Sequence, residues 1–378
     1  MNSSSYFDLT YISIDSLSEG VGSSQIIPLI FLLSKENLKI NLVTFEKVEP
    51  RPELISRFSA AGVDWNFQEF GSNGILGGIT RYERIKEIIP NTSIIHARSD
   101  IPAVSAIHAQ KANVLWDVRS LWADQKVLIQ RNIINRSMYS FYRKLEKIAA
   151  RDSAGMSTLT EAIVPTLEVR NKVIPKLRTV VPTTVDLKRF SFSSQMPREI
   201  RALFSGTYND YYDLNLSASF LKVLQRKFDL DIHWARPLES SKFKIDVGES
   251  KIINSNHLGM ANLIPQYSFG VSVCRSDAGD SLKAAVPTKI AEFLACGRPV
   301  VVNKGLGDMD NMLAEFDVGV ALDGSESNLL EAVDKFASLL IDKETPIRCR
   351  ALAEKYFNME IGVKKYVNLY TKIINSDF

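Results

Sequence analysis

The chain has 378 residues, room for about two domains on a prior of ~150 residues each. Hydrophobic residues make up 45% and charged residues 24%, an ordinary globular balance. A net charge of +3 excludes nucleic-acid binding driven by bulk charge. The three scattered cysteines, Cys274, Cys296 and Cys349, exclude a disulfide framework or a CxxC metal site.

The start, MNSSSYFDLT, has neither a basic nor an apolar stretch of the kind a signal peptide needs. The longest apolar run, Ile26–Leu33, contains Pro28 and is far short of the ~20 residues that span a bilayer. The expectation is a cytoplasmic protein, with peripheral contact at the inner membrane face left open.

Leu9–Ile14 reads as a strand, Asp15–Ser24 as a loop bearing Gly20 and Gly22, Gln25–Lys35 as a helix and Lys39–Phe45 as a second strand. The loop is not the dinucleotide fingerprint, because Gln25 stands where the third glycine would fall. A tight turn that needs glycine is the alternative to ligand contact. Ser59–Phe70 suggests a turn and strand. Gly71, Gly74, Gly77 and Gly78 mark a flexible loop, and Arg81–Ile89 a polar helix. Ser93–His96 and Val114–Val118 read as strands around the helix Ile101–Lys111. Ser137–Arg151 is an amphipathic helix and Gly155–Leu159 a strand, with Thr160 expected to cap the helix that follows. Extended Thr179–Phe190 leads to polar Ser191–Arg198, the expected boundary between domains at 1–190 and 198–360.

The alternation then restarts. Arg201–Phe204 is a strand, Leu214–Lys227 a helix and Asp231–Trp234 a strand running to Arg236. Ile252–Ile253 is a short strand, His257–Pro265 a helix and Phe269–Arg275 a strand. In the stretch VPTKIAEFLACGRPVVVN, Pro287 suits a first helical turn and Ile290, Phe293 and Leu294 form an apolar stripe. Gly297 ends that helix, and Val300–Val302 is a buried strand. Val318–Leu322 is a strand, and Ser327–Leu340, Pro346–Tyr356 and Ile361–Ile374 are closing helices. Strands alternating with helices in both halves predict two open, mostly parallel α/β sheets.

Pro287–Val301 resembles the nucleotide-sugar signature of GT-B glycosyltransferases, in the version of the retaining family four (glycosyl transferases group 1). Val181-Pro182-Thr183-Thr184-Val185-Asp186, followed by Phe190, resembles that family's interdomain stretch. Leu115–Arg119 with Leu121-Trp122 resembles its acceptor-side strand and loop, and the Gly20–Gly22 loop stands where the family has its glycine-rich loop. The resemblance implies two facing Rossmann-like domains with the active site between them, and a final helix, 361–378, packing back on the first. It implies a nucleotide diphosphate sugar as donor substrate, held by the C-terminal domain, and no cofactor or metal. The implied acceptor is a glycan or lipid-linked glycan hydroxyl. The implied reaction is hexosyl transfer with retention, in glycan or polysaccharide biosynthesis. The sequence does not set the oligomeric state.

The expected donor-binding residues are Glu292, Lys289, Thr288, Arg275, Gly22, Gly20 and Arg236; the expected catalytic residues are Asp117, His96 and Arg119. A carboxylate such as Glu292 offers only acceptors and suits the two hydroxyls of a ribose. Lys289 near a helix start is poor for the helix dipole unless an anion sits beside it. The chain departs from the family at Ala284, where a second glutamate is frequent, and after Gly206, where TYNDYYD replaces basic residues. Two alternatives stay open: a nucleotide-sugar epimerase of the same fold, and a non-catalytic partner subunit.

Overall fold

The computed structural model describes residues 6–18, 20–129, 133–206, 209–236, 250–255 and 257–376. Its first sheet is built from β1 (Phe7–Ile12), β2 (Ile40–Glu46), β3 (Val63–Glu69), β4 (Thr92–Arg98), β5 (Asn113–Val118), β6 (Gly155–Thr158) and β7 (Leu177–Val180). Between these run α1 (Ile27–Leu33), α2 (Pro52–Ala60), α3 (Gly74–Ile88), α4 (Asp100–Ala109), α5 (Trp122–Ile129), α6 (Ile133–Asp152) and α7 (Val164–Asn171). The sheet order is β3-β2-β1-β4-β5-β6-β7, with every recorded pairing parallel.

The second sheet uses β8 (Ile200–Ser205), β9 (Leu230–Arg236), β10 (Ser250–Asn254), β11 (Phe269–Ser272), β12 (Val300–Asn303) and β13 (Gly319–Leu322). Its helices are α8 (Leu214–Leu224), α9 (His257–Leu263), α10 (Asp280–Lys283), α11 (Thr288–Ala295), α12 (Met309–Phe316), α13 (Glu326–Ile341) and α14 (Thr345–Leu352); the last helix of the chain, α15 (Met359–Ile374), belongs with the first sheet. The order is β10-β9-β8-β11-β12-β13, again parallel. Both sheets grow outward from their first strand in each direction, the doubly wound Rossmann pattern. Ligands of such sheets bind at the carboxyl ends of the strands beside the point where the order reverses. In the second sheet that point lies between β8 and β11.

Contacts divide the chain into two compact units, one of Met1–Ala123, Asn132–Val181 and Glu360–Phe378, the other of Asp124–Arg131 and Pro182–Met359. The change at Val181–Pro182 precedes the polar stretch Ser191–Arg198. Two arginines account for this. Arg298, fully buried, donates to the carbonyls of Ser193, Gln195 and Pro265 at 3.2, 3.0 and 2.8 Å. Arg350 donates to the carbonyls of Leu187, Phe190 and Ala295 at 3.4, 3.1 and 3.0 Å. A guanidinium has five fixed donors, so each arginine fastens several turns of chain to the second unit.

In the first unit, α15 lays Val363, Tyr366, Leu369, Tyr370 and Ile373 into the same core as β1, β2 and α1. These residues recur at helical spacing, which makes one apolar face.

Two local expectations are corrected. The glycines from Gly71 to Gly78 do not form a loop throughout: α3 starts at Gly74. Arg81 holds the turn before it, donating to the carbonyls of Phe70 and Ser72 at 2.6 and 3.0 Å. Thr160 does not cap α7, whose N-cap position is Ile163; the Thr160 carbonyl instead accepts from Thr158 Oγ1 at 2.9 Å. Helices α2, α5 and α12 lie outside the elements the sequence predicts, although Pro52 opens α2 and Asp308 stands at the N-cap position of α12.

Candidate functional site

In the second unit, α11 follows β11 at the reversal point of the sheet. Its packing is set by Gly270 in β11, where a Cβ would stand 2.2 Å from the Phe293 ring. No other residue lets α11 lie so close. Pro287 takes the N-cap position, one residue before the helix rather than in its first turn, and Gly297, at φ 79°, ends the helix as the sequence predicts. The loop between strand and helix is held from several sides. Thr183 Oγ1 donates to the Val286 carbonyl at 2.6 Å, and the Cys274 N–H donates to Asn303 Oδ1 at 2.8 Å.

Seven of the eight residues of α11 are buried, Lys289 and Glu292 among them. Glu292 is therefore not a solvated helix carboxylate. Burial pushes its carboxyl up to about 7, against the pull of Arg189 and Lys289. Burial also brings the Lys289 ammonium down to about 7, against Cys274 and Glu292. Lys289 Nζ lies over the ring of Tyr212, 4.4 Å from its centroid. Tyr212 comes from the stretch after Gly206 where basic residues were expected. It is fixed by a bridge to Cys274 at the end of β11. A cation over an aromatic face is attracted by the ring quadrupole, so Tyr212 offers the Lys289 charge some compensation. The arrangement is a buried amine and a buried carboxyl one turn apart. It can meet an anion and a pair of hydroxyls together.

The other expected donor residues are less uniform. Thr288 is half-buried at the first position of the helix. Arg275 is taken up by Asp277 through Nε and Nη2 at 2.8 and 2.5 Å, and by the Asp210 carbonyl. Arg236 is buried at the end of β9, its guanidinium 4.9 Å from the centroid of the Trp234 ring. Gly20 and Gly22 belong to the first unit. At Gly22 a Cβ would fall 2.0 Å from the Ser16 carbonyl oxygen, so that glycine is demanded by the chain's own backbone. The turn it packs on is held by Glu46, which accepts from Ser16 Oγ at 2.6 Å and from the Leu17 N–H.

The structure brings Asp117, His96 and Arg119 together in the first unit. Asp117 Oδ2 lies 2.6 Å from Arg119 Nε and 3.2 Å from His96 Nε2. Its Oδ1 accepts from Ser157 Oγ at 2.6 Å. Two tyrosines of α15 close the group: Tyr366 OH accepts from Arg119 Nη2 at 2.8 Å, and Tyr370 OH is 2.6 Å from His96 Nδ1. Arg98 joins at 3.9 Å from Asp117 and pairs with Asp15 at 3.0 Å. Burial alone would raise the Asp117 carboxyl, but Arg119, then His96 and Arg98, hold it well below the usual carboxylate range. Burial lowers His96 from its ordinary value, against the pull of Asp117. Both side chains are at most 1% exposed, so neither presents an atom to solvent.

Tyr212, Tyr366 and Tyr370 are the participants that sequence reading missed. Each is an unremarked tyrosine in the chain and acquires its part only by packing. Among the described residues, no group of three or more His, Cys, Asp or Glu side chains could hold a metal ion. No described helix is long and apolar enough to cross a membrane.

No protein family and no curated protein matches the sequence. Solved structures do match. Sucrose-phosphate synthase of Thermosynechococcus elongatus superposes with a TM-score of 0.71 at 12% identity, over 98% of this chain and 100% of that one. A glycosyltransferase of Rickettsia africae gives 0.68 at 15%, over 98% and 100%. HepE of Anabaena in complex with UDP gives 0.67 at 10%, over 97% and 100%; HepE has also been solved with UDP-glucose. A UDP-N-acetylglucosamine 2-epimerase, so described, of Listeria monocytogenes gives 0.59 at 12%, over 96% and 95%. At these identities the likeness is one of fold: the chain has the two-sheet α/β fold of GT-B glycosyltransferases.

Proposed function

We propose that the protein is a glycosyltransferase that moves a sugar from a nucleotide diphosphate donor to a hydroxyl of a glycan or lipid-linked glycan, with retention of configuration. The observation that carries this reading is the buried Lys289–Glu292 pair at the reversal point of the second sheet. Buried ionisable groups with shifted pKa values at the ligand edge of a sheet mark a candidate binding site. A nucleoside diphosphate would suit this pair, with ribose hydroxyls donating to Glu292 and phosphate oxygens meeting Lys289. The UDP and UDP-glucose complexes of HepE support a donor of this class.

On this reading Lys289 and the start of α11 stabilise the charge that builds on the departing diphosphate. Arg275 would have to exchange Asp277 for phosphate to take part. For Asp117, His96 and Arg119 the geometry supports a different part from the catalytic one anticipated: they hold α15 against the first sheet. Acid–base chemistry on a substrate needs an exposed lone pair or proton, and the polar atoms of Asp117 and His96 are enclosed by one another and by Ser157 and Tyr370.

Calorimetric titration with UDP and UDP-glucose tests the reading. Glu292→Ala removes a charged acceptor whose hydrogen bonds contribute ~1.5–3 kcal/mol, so affinity should fall on the order of tenfold to a hundredfold. Equal affinity in the variant would remove α11 as the donor site. An epimerase would convert the donor sugar with no acceptor present, which chromatography of donor-only incubations detects.

A further inference from the structure

The stretch after Gly206, TYNDYYD, carries no lysine or arginine, although the family it resembles has basic residues there. Its described part, 209–213, is tied instead to the end of β11. Tyr212 forms an antiparallel bridge with Cys274. On one side of it the Arg275 N–H donates to the Tyr211 carbonyl at 3.0 Å; on the other the Asp213 N–H donates to the Val273 carbonyl at 2.9 Å. Tyr211 OH donates to the Ser281 carbonyl at 3.1 Å, and Asp213 caps α8 by accepting from the Leu216 N–H at 2.9 Å. The backbone that carries Tyr212 is therefore held on both sides, and its ring is set by the strand that leads to α11.

The ring lies against the charged end of Lys289, the second residue of α11. Nζ is 4.4 Å from the ring centroid, within the range at which a quadrupole attracts an ammonium. Tyr212 is half-buried and Lys289 is 9% exposed, so salt screens the pair weakly. Cys274 and Glu292 also face Lys289, and Arg189 faces Glu292. Burial pushes the Cys274 thiol up to about 12 and the Glu292 carboxyl up to about 7, so near neutral pH neither is a fully ionised counter-charge. The Tyr212 ring attracts the ammonium at any pH where the phenol is neutral, and burial holds that phenol above its ordinary value.

We propose that Tyr212 is a positioning residue of the donor site, whose ring holds the Lys289 ammonium at the start of α11 where a diphosphate is to be met. The proposal rests on the donor reading of α11 and deepens it. With Arg275 engaged by Asp277 and no cation in the stretch after Gly206, the phosphate charge falls to Lys289. An aromatic face suits that task. It keeps the amine charged and in place without forming the ion pair that a carboxylate would, so the ammonium stays open to phosphate oxygens.

Two measurements on the full chain test this. The first needs no donor: NMR of lysine-labelled protein follows the Lys289 ammonium through its titration, the signal being the one absent from Lys289→Met. Tyr212→Leu should lower that titration by roughly half to one and a half pH units. The second is calorimetry with UDP and with uridine. Tyr212→Leu should weaken UDP roughly twofold to thirtyfold and leave uridine nearly unchanged, because only the phosphates meet Lys289. Tyr212→Phe keeps the ring face and should rescue both readouts. Tyr212→Met fills similar space without a ring, and serves in place of leucine if that variant does not fold. An unmoved Lys289 titration in Tyr212→Leu overturns the proposal. So does an equal loss in Tyr212→Phe, which would assign the effect to the hydroxyl. UDP binding that Glu292→Ala weakens and Tyr212→Leu leaves intact would overturn this proposal alone; absence of UDP binding by the unmodified protein would overturn the donor reading and this one with it.

Discussion

Lys289 Nζ stands 4.4 Å from the centroid of the Tyr212 ring, inside the second unit and one helical turn from Glu292. The lysine is almost fully buried with an aromatic face as its neighbour, an arrangement that stores unfavourable solvation where an anion would relieve it.

Lys289→Met should stabilise the protein without ligand and weaken diphosphate binding. The folded ammonium titrates at about 7 and the unfolded one at 10.5. Between those values the unfolded chain holds the extra proton, so stability rises with pH across that window, and the cost is fully present below it. Methionine removes the charge and fills similar space. The expected gain near neutral pH is ~1–3 kcal/mol after allowing for the lost ring contact. Urea midpoints at pH 6 and pH 9 check this: the variant's advantage should shrink at the higher pH.

Glu292 should act in the opposite sense. Its folded carboxyl titrates at about 7 against 4.5 unfolded, so between these values the folded chain holds the extra proton and stability falls as pH rises. Glu292→Gln keeps the shape and removes this dependence. Its denaturation midpoint should lose the decline seen in the unmodified chain between pH 4.5 and pH 7.

Asp117→Ala should destabilise the first unit strongly. It leaves the largely enclosed Arg119, its side chain 13% exposed, and fully buried His96 without their carboxylate, and breaking a buried pair costs ~3–5 kcal/mol. The folded Asp117 carboxyl lies below its unfolded value of 3.8. Its contribution is therefore present above that value and lost as pH falls through the folded one. Thermal and urea denaturation measure the loss. A variant that melts like the unmodified protein yet transfers no sugar would return Asp117 to a catalytic role.

Gly270→Ala should disturb the donor site without touching a donor residue. The added methyl meets the Phe293 ring at 2.2 Å, so α11 must shift or the ring must turn. Overpacking of this kind costs ~1–3 kcal/mol. Nucleoside diphosphate affinity should fall together with the melting temperature, and both should recover partly in Gly270→Ala with Phe293→Leu.

A chain ending at Phe357 should lose cooperative unfolding. It would uncover the core that Tyr366, Tyr370 and Ile373 close, and leave His96 and Arg119 without their tyrosine partners. Calorimetry would show a broadened or missing transition; a single sharp transition at the full-length temperature would contradict this.

The sequence alone determined the parallel α/β character of both halves, the strands flanking α11 and the limits of that helix. Those features rest on short-range signals: apolar periodicity, a proline that suits a first turn, a glycine that accepts positive φ. It also placed Lys289 and Glu292 on one helix. Tertiary structure decided that both are buried, because burial depends on chain that arrives from elsewhere: Tyr212 beside the amine, and Thr183 fastening the loop before the helix. It decided the surroundings of Asp117, whose partners Ser157 and Tyr366 lie far along the chain. It decided the start of α3, where the glycines read as loop and Arg81 fixes a turn through two carbonyls. And it decided where the linker belongs, since Arg298 and Arg350 bind carbonyls, and a carbonyl is common to every residue and carries no mark in the sequence.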